Sequence, residues 1–184
     1  MPRMLIGALA AAVAMFITGF IFFASPLSLI AFRTVDDTRS ASVQAALAQN
    51  IPATGTYVVP NPGTRAGTVL YGKGPVATVH YNAMGFPVAS TSAVVSGFIH
   101  ESIVALILGF ALLGISGRVT DFASRGRIVV LFSVAASGLI HLGAPIWMRF
   151  DWTYAIYSFV ADAAMLIVGG LVIARWFLPK APQV

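Results

Sequence analysis

Residues 4–24 read MLIGALAAAVAMFITGFIFFA, twenty-one positions without a charge. As an α-helix rising roughly 1.5 Å per residue, such a run spans roughly the 30 Å hydrocarbon core of a bilayer. Arg3 precedes it, as the basic start of a signal peptide would. The run is nevertheless much longer than a signal h-region of roughly 7–15 residues. Its exit, FFASPLS, also puts bulky residues and Pro26 where a small-x-small cleavage site would sit. A retained anchor is expected.

Three further apolar runs follow a long polar gap, at 93–115, 128–147 and 153–176. They are rich in Gly, Ala and Ser, including Ser96, Gly97, Gly109, Ser137, Gly169 and Gly170. Small residues let helix backbones approach closely in lipid, so a bundle is predicted. The whole composition agrees: 58% of residues are hydrophobic, 9% are charged and mean hydropathy is +0.88. A soluble domain has a mix nearer ~45–50% apolar and ~25% charged.

The formal net charge of +5 raises the question of a nucleic-acid partner, but the eleven basic residues are scattered, with no block and no aromatic-interleaved stripe. They cluster instead near the ends of the apolar runs. The 116–127 connection carries Arg118, Arg125 and Arg127 against Asp121, and the C-terminal end carries Arg175 and Lys180. The 148–152 turn has only Arg149 with Asp151. The positive-inside rule then makes both termini cytoplasmic and residues 25–92 extracytoplasmic. Trp147, Trp152, Tyr154 and Tyr157 fit an outer aromatic belt, and Trp176 an inner one. There is no cysteine, which excludes disulfides, thiolate nucleophiles and Cys-based metal sites. An outer domain without such staples must lean on the membrane or on a partner.

Within the outer segment, Asp36 and Asp37 look like a helix N-cap and first turn, with Val43, Ala46 and Leu47 at helical spacing before Asn50-Ile51-Pro52. Residues 56–59, 68–71 and 76–81 are rich in Val, Thr and Tyr and are separated by Asn61-Pro62-Gly63 and Gly72-Lys73-Gly74-Pro75. One short helix and a sheet of two or three strands are expected. The Gly72–Pro75 turn lacks the following Lys-Ser/Thr of a phosphate loop. Ser96 and Ser102 lack a Gly-x-Ser-x-Gly context. His80 reads as an ordinary strand residue. No catalytic residue is assigned, and the balance is against an enzyme.

Ionisable side chains are costly inside lipid, so each marks a site hypothesis. Four fall inside the runs away from their ends: His100 and Glu101 in the second, His141 in the third and Asp162 in the fourth. His100 and His141 both lie roughly 10 Å below the outer surface, and Asp162 nears the midplane. This coincidence permits bis-histidine ligation of a haem b, a transition-metal site with the carboxylates, or a proton relay. None has a diagnostic spacing. His100 and Glu101 are adjacent and so point about 100° apart, which counts against a metal. The plainer reading is that the four polar groups pair across helices and set their register. A transporter also lacks support: there is no inverted repeat and no pair of broken helices.

The order of features resembles a group of uncharacterised bacterial four-span integral membrane proteins with an extracytoplasmic domain after the first helix. The segments in common are Asn50-Ile51-Pro52-Ala53-Thr54-Gly55-Thr56-Tyr57-Val58-Val59-Pro60, Gly74-Pro75-Val76-Ala77, and Ala144-Pro145-Ile146-Trp147 through Asp151-Trp152. The resemblance implies this topology and no particular activity, and it carries none of His100, Glu101 or His141.

The sequence therefore predicts an all-α membrane bundle of four transmembrane helices with a small α+β extracytoplasmic domain between helices 1 and 2. The expected parts are an anchor at 1–24, the domain at 25–92, a three-helix region at 93–177 and a cytoplasmic tail at 178–184. The leading function is a non-catalytic accessory or scaffold subunit of an inner-membrane assembly, partnered by lipid and by other membrane subunits or copies of itself, with no cofactor. The alternatives are a haem- or metal-binding redox protein using His100 and His141, and a proton-linked channel or transporter.

Overall fold

The computed structural model describes residues 2–179; Lys180 and most of the expected 178–184 tail lie outside the described residues. The chain divides into two compact units, one built from the segments up to Phe32 and from Ser90 onward, the other from Arg33–Ala89.

The first unit is helical. Helix α1 spans Pro2–Phe23; the other helices of this unit are α4 (Thr91–Ile115), α5 (Phe122–His141), a short α6 (Gly143–Met148) and α7 (Trp152–Trp176). With α5 and α6 taken as one span, four helices are long and apolar enough to cross a membrane. The starts of α4, α5 and α7 are capped by side chains: Ser90 accepts from the Ala93 N–H, Asp121 from Ser124 and Asp151 from Tyr154. The bond from the Ser124 backbone N–H holds the Asp121 carboxyl below the usual carboxylate range. Arg149 closes α6 in the left-handed conformation at φ 60°.

Packing runs antiparallel between neighbours. Helix α7 lies against α1 and α5, and α4 lies against α1. At one end of the α1–α7 pair Arg3 donates to the Trp176 carbonyl (2.8 Å); at the other the Tyr157 hydroxyl donates to the Phe22 carbonyl (2.5 Å). Tyr157 is therefore an internal tie, buried against Phe22 and Phe23, whereas the sequence placed it in an interfacial belt. Trp147, Trp152 and Trp176 are exposed. Although α4 and α5 are consecutive, they are not packed along each other, which leaves a seam between them.

The core is assembled from small residues. Met4, Ala8, Ala11, Met15 and Gly19 form the buried stripe of α1. On α7, Gly169 faces α1 and Gly170 faces α5: a Cβ at Gly169 would lie 2.5 Å from the Met15 sulfur, and one at Gly170 2.5 Å from Val129 Cγ1. The α4–α5 connection is held by Arg125, which is buried and donates to the carbonyls of Val119 (2.8 Å), Ser116 (3.3 Å) and Pro179 (2.8 Å). The sequence offered this arginine only as a loop charge. Its guanidinium instead joins the ends of α4 and α7, where carbonyls left over by the helices need donors.

In the second unit, Asp36 caps α2 (Asp37–Asn50), and strands β1 (Gly55–Val59) and β2 (Ala77–Tyr81) pair antiparallel with Gly55 opposite Tyr81. Residues 68–71, expected as a third strand, lie in helix α3 (Arg65–Lys73). The cause is local. Thr64 caps the helix by accepting from the Gly67 N–H, the Thr68 hydroxyl bonds back to the Thr64 carbonyl, and Gly74 ends it at φ 69°. These bonds override the β preference of Thr68 and Val69.

The glycine packing gives a paired prediction. Gly170→Leu should lower stability by about 1–3 kcal/mol through overpacking. Gly114→Ala, where nothing lies within 4 Å of the added Cβ, should raise it by about 0.5–1 kcal/mol. Unfolding of both variants in mixed micelles checks the contrast; equal effects would show that α7 does not depend on the close approach.

Candidate functional site

His100, Glu101, His141 and Asp162 fall in two groups. His141, at the last turn of α5, meets Asp162 on α7: Nε2 and Oδ2 share a short hydrogen bond of 2.6 Å. It forms because antiparallel packing of α5 on α7 brings the end of one helix beside the first half of the other. The bond engages Nε2 and leaves Nδ1 as the ring nitrogen open to another partner.

Glu101 and His100 sit side by side on α4, and the helical turn between them sends them different ways. The Glu101 side chain is 13% exposed and the His100 ring 72% exposed, with Nδ1 3.9 Å from the carboxylate. Among the described residues Glu101 makes no hydrogen bond. It lines a cleft of about 250 Å³ with Met15, Val104, Ser137, Asp162 and Met165. The cleft exists because α4 and α5 do not close on one another.

Comparison with protein families, with curated proteins and with solved structures finds no match to this chain. What the site can do therefore rests on its own geometry. The structure joins His141 to Asp162 and brings Glu101 and Asp162 to one cleft, but it does not gather the four residues around one point. Among the described residues no three His, Cys, Asp or Glu side chains are placed to hold a metal ion. His141 Nδ1 has the second-shell support typical of a metal ligand, yet His100 is turned largely outward. The arrangement suits a hydrogen-bonded tie between α5 and α7 at His141–Asp162 and the acceptance of a positive charge at Glu101.

Ser137 was visible in the sequence only as a small packing residue. Its hydroxyl is buried without a partner and it lines the same cleft. The available signal was spacing: Ser137 and His141 are four residues apart on one helix face, as are Ser133 and Ser137. Ser133 and Ser158 are likewise buried without partners, so the α5–α7 contact carries unused hydrogen-bonding capacity.

A double-mutant cycle of His141→Gln and Asp162→Asn, read by unfolding in mixed micelles, should give a coupling of about 0.6–1.7 kcal/mol, the range of interhelical hydrogen bonds in membranes. Additive single effects would mean the pair does not hold α5 to α7.

Proposed function

We propose that this chain is a non-catalytic integral membrane protein, an accessory or scaffold subunit of a larger assembly in a bacterial inner membrane. The observation that carries this reading is the state of the Arg33–Ala89 unit. Of its residues only Ile51 and Gly67 are buried. Helix α2 buries nothing, and Val43, Leu70, Met84, Phe86 and Val88 are all exposed. A domain of this size buries only roughly 60% of its surface at best and is marginal alone. Without disulfides, its order has to be completed by a binding surface. Exposed apolar side chains of this kind mark protein–protein contacts.

The reading extends to topology. Arg3, Arg125 and Arg175 gather where α1 begins, α4 meets α5 and α7 ends, as the bonds of Arg3 to Trp176 and of Arg125 to Ser116 and Pro179 require. The opposite bundle end has Arg149 beside Asp151. This asymmetry supports cytoplasmic termini and an extracytoplasmic 25–92 segment. Protease added to intact spheroplasts is expected to cut at Arg65 or Lys73; cleavage only after lysis would reverse the orientation.

The assembly role is tested by gentle detergent extraction and native mass measurement. The protein should migrate with a partner subunit or as an oligomer. Met84→Asp with Phe86→Asp should release it while leaving the bundle's unfolding transition unchanged. Migration of the wild type as a lone monomer would refute the proposal.

A further inference from the structure

Glu101 is the one carboxylate of the spans without a geometric partner across the bundle. Asp162 has His141 at 2.6 Å, whereas the only cationic partner near Glu101 is the outward-turned His100 of its own helix, at 3.9 Å. A carboxylate enclosed by apolar walls is costly unless it takes up a proton or a cation. Two adjoining spaces open onto it. One is the 250 Å³ cleft toward α5 and α7; the other is a groove of about 500 Å³ between α1 and α4, lined by Phe16, Phe20, Phe23, Gly97 and Met165. No lysine or arginine lines either space. The Ser137 hydroxyl, fully buried and unpartnered, lines the first.

We propose that these two spaces together form a binding site for a lipophilic organic cation, with Glu101 as its counter-ion. The walls fit each part of such a ligand. Phenyl rings attract a cation through their faces, and the thioethers of Met15 and Met165 adapt to irregular apolar shapes. An anion would be repelled by Glu101 and Asp162. A neutral lipid would leave the carboxylate and the Ser137 hydroxyl unsatisfied. A small inorganic cation would lack ligands, since no three acidic or histidine groups converge among the described residues. The groups facing Glu101 are Asp162 on α7, His100 on α4, and His141 behind Asp162 on α5; α1 contributes no titratable group to either space. Protonation of any of these makes the site less negative, so a cation should bind more weakly as pH falls. The site stands independently of the assembly role.

The test uses the full-length protein in detergent with tetraphenylphosphonium as probe and tetraphenylborate, its anionic near-isostere, as control. Saturable binding of the phosphonium and none of the borate is expected, with the phosphonium affinity falling on acidification. Glu101→Gln should weaken binding roughly ten- to a hundredfold, the value of one desolvated charged contact. Phe20→Ala should weaken it less. Equal binding by wild type and Glu101→Gln, or borate binding as tight as phosphonium binding, overturns the proposal. Should Glu101→Gln fail to fold, the wild type gives a second readout. The phosphonium, and not the borate, should slow labelling of Glu101 by a hydrophobic carbodiimide, and an unchanged labelling rate would overturn the proposal equally.

Discussion

Helix α7 can touch α1 and α5 at once because at two successive positions, Gly169 and Gly170, it has no side chain in the way. In hydrocarbon, helices gain nothing from hiding apolar surface from water, so association depends on how closely backbones approach and on the few polar bonds between them. Everything else in the bundle follows from that closeness. Met15 and Val129 seat on the two glycines. Above them Tyr157 reaches the Phe22 carbonyl, and at the far end Arg3 reaches the Trp176 carbonyl. Arg125 fastens the α4–α5 connection to the same end.

The same arrangement explains the polar cleft. Helix α4 is held through α1 and helix α5 through α7, so the α4–α5 seam is left unfilled. Along one half the seam is wholly apolar, lined by residues such as Ile107, Leu108 and Phe132. Along the other it holds Glu101, Asp162 and Ser137. A fully closed bundle would have had to bury Glu101 against a partner or exclude it. The gap keeps an ionisable group accessible within a span.

The Arg33–Ala89 unit follows the opposite logic. Its local structure is well specified by caps and turns: Asp36 for α2, Thr64 for α3, and the pairing of β1 with β2. What it lacks is burial. Local hydrogen bonds determine secondary structure but contribute little net stability in water, where solvent competes for them. Exposed apolar residues such as Met84 and Phe86 then become the part of the molecule most suited to contact with something else.

The four spans were legible from the sequence because they are set by one local property, an uninterrupted apolar length matched to a bilayer. Helix α2 and both strands were legible from caps and β-branched runs. Helix α3 was not: Thr68 and Val69 favour a strand, and the deciding bonds are accepted by Thr64 and donated by Gly74, both outside the 68–71 run. The four ionisable residues were visible one by one, and their similar depth suggested a shared site, but depth along a helix says nothing about direction around it. Only helix packing decided that His141 belongs to Asp162, that His100 turns outward, that Arg125 is an internal clamp and that Ser137 lines a cleft. Azimuth and neighbour choice arise from contacts between segments far apart in the chain, and no single segment's composition encodes them.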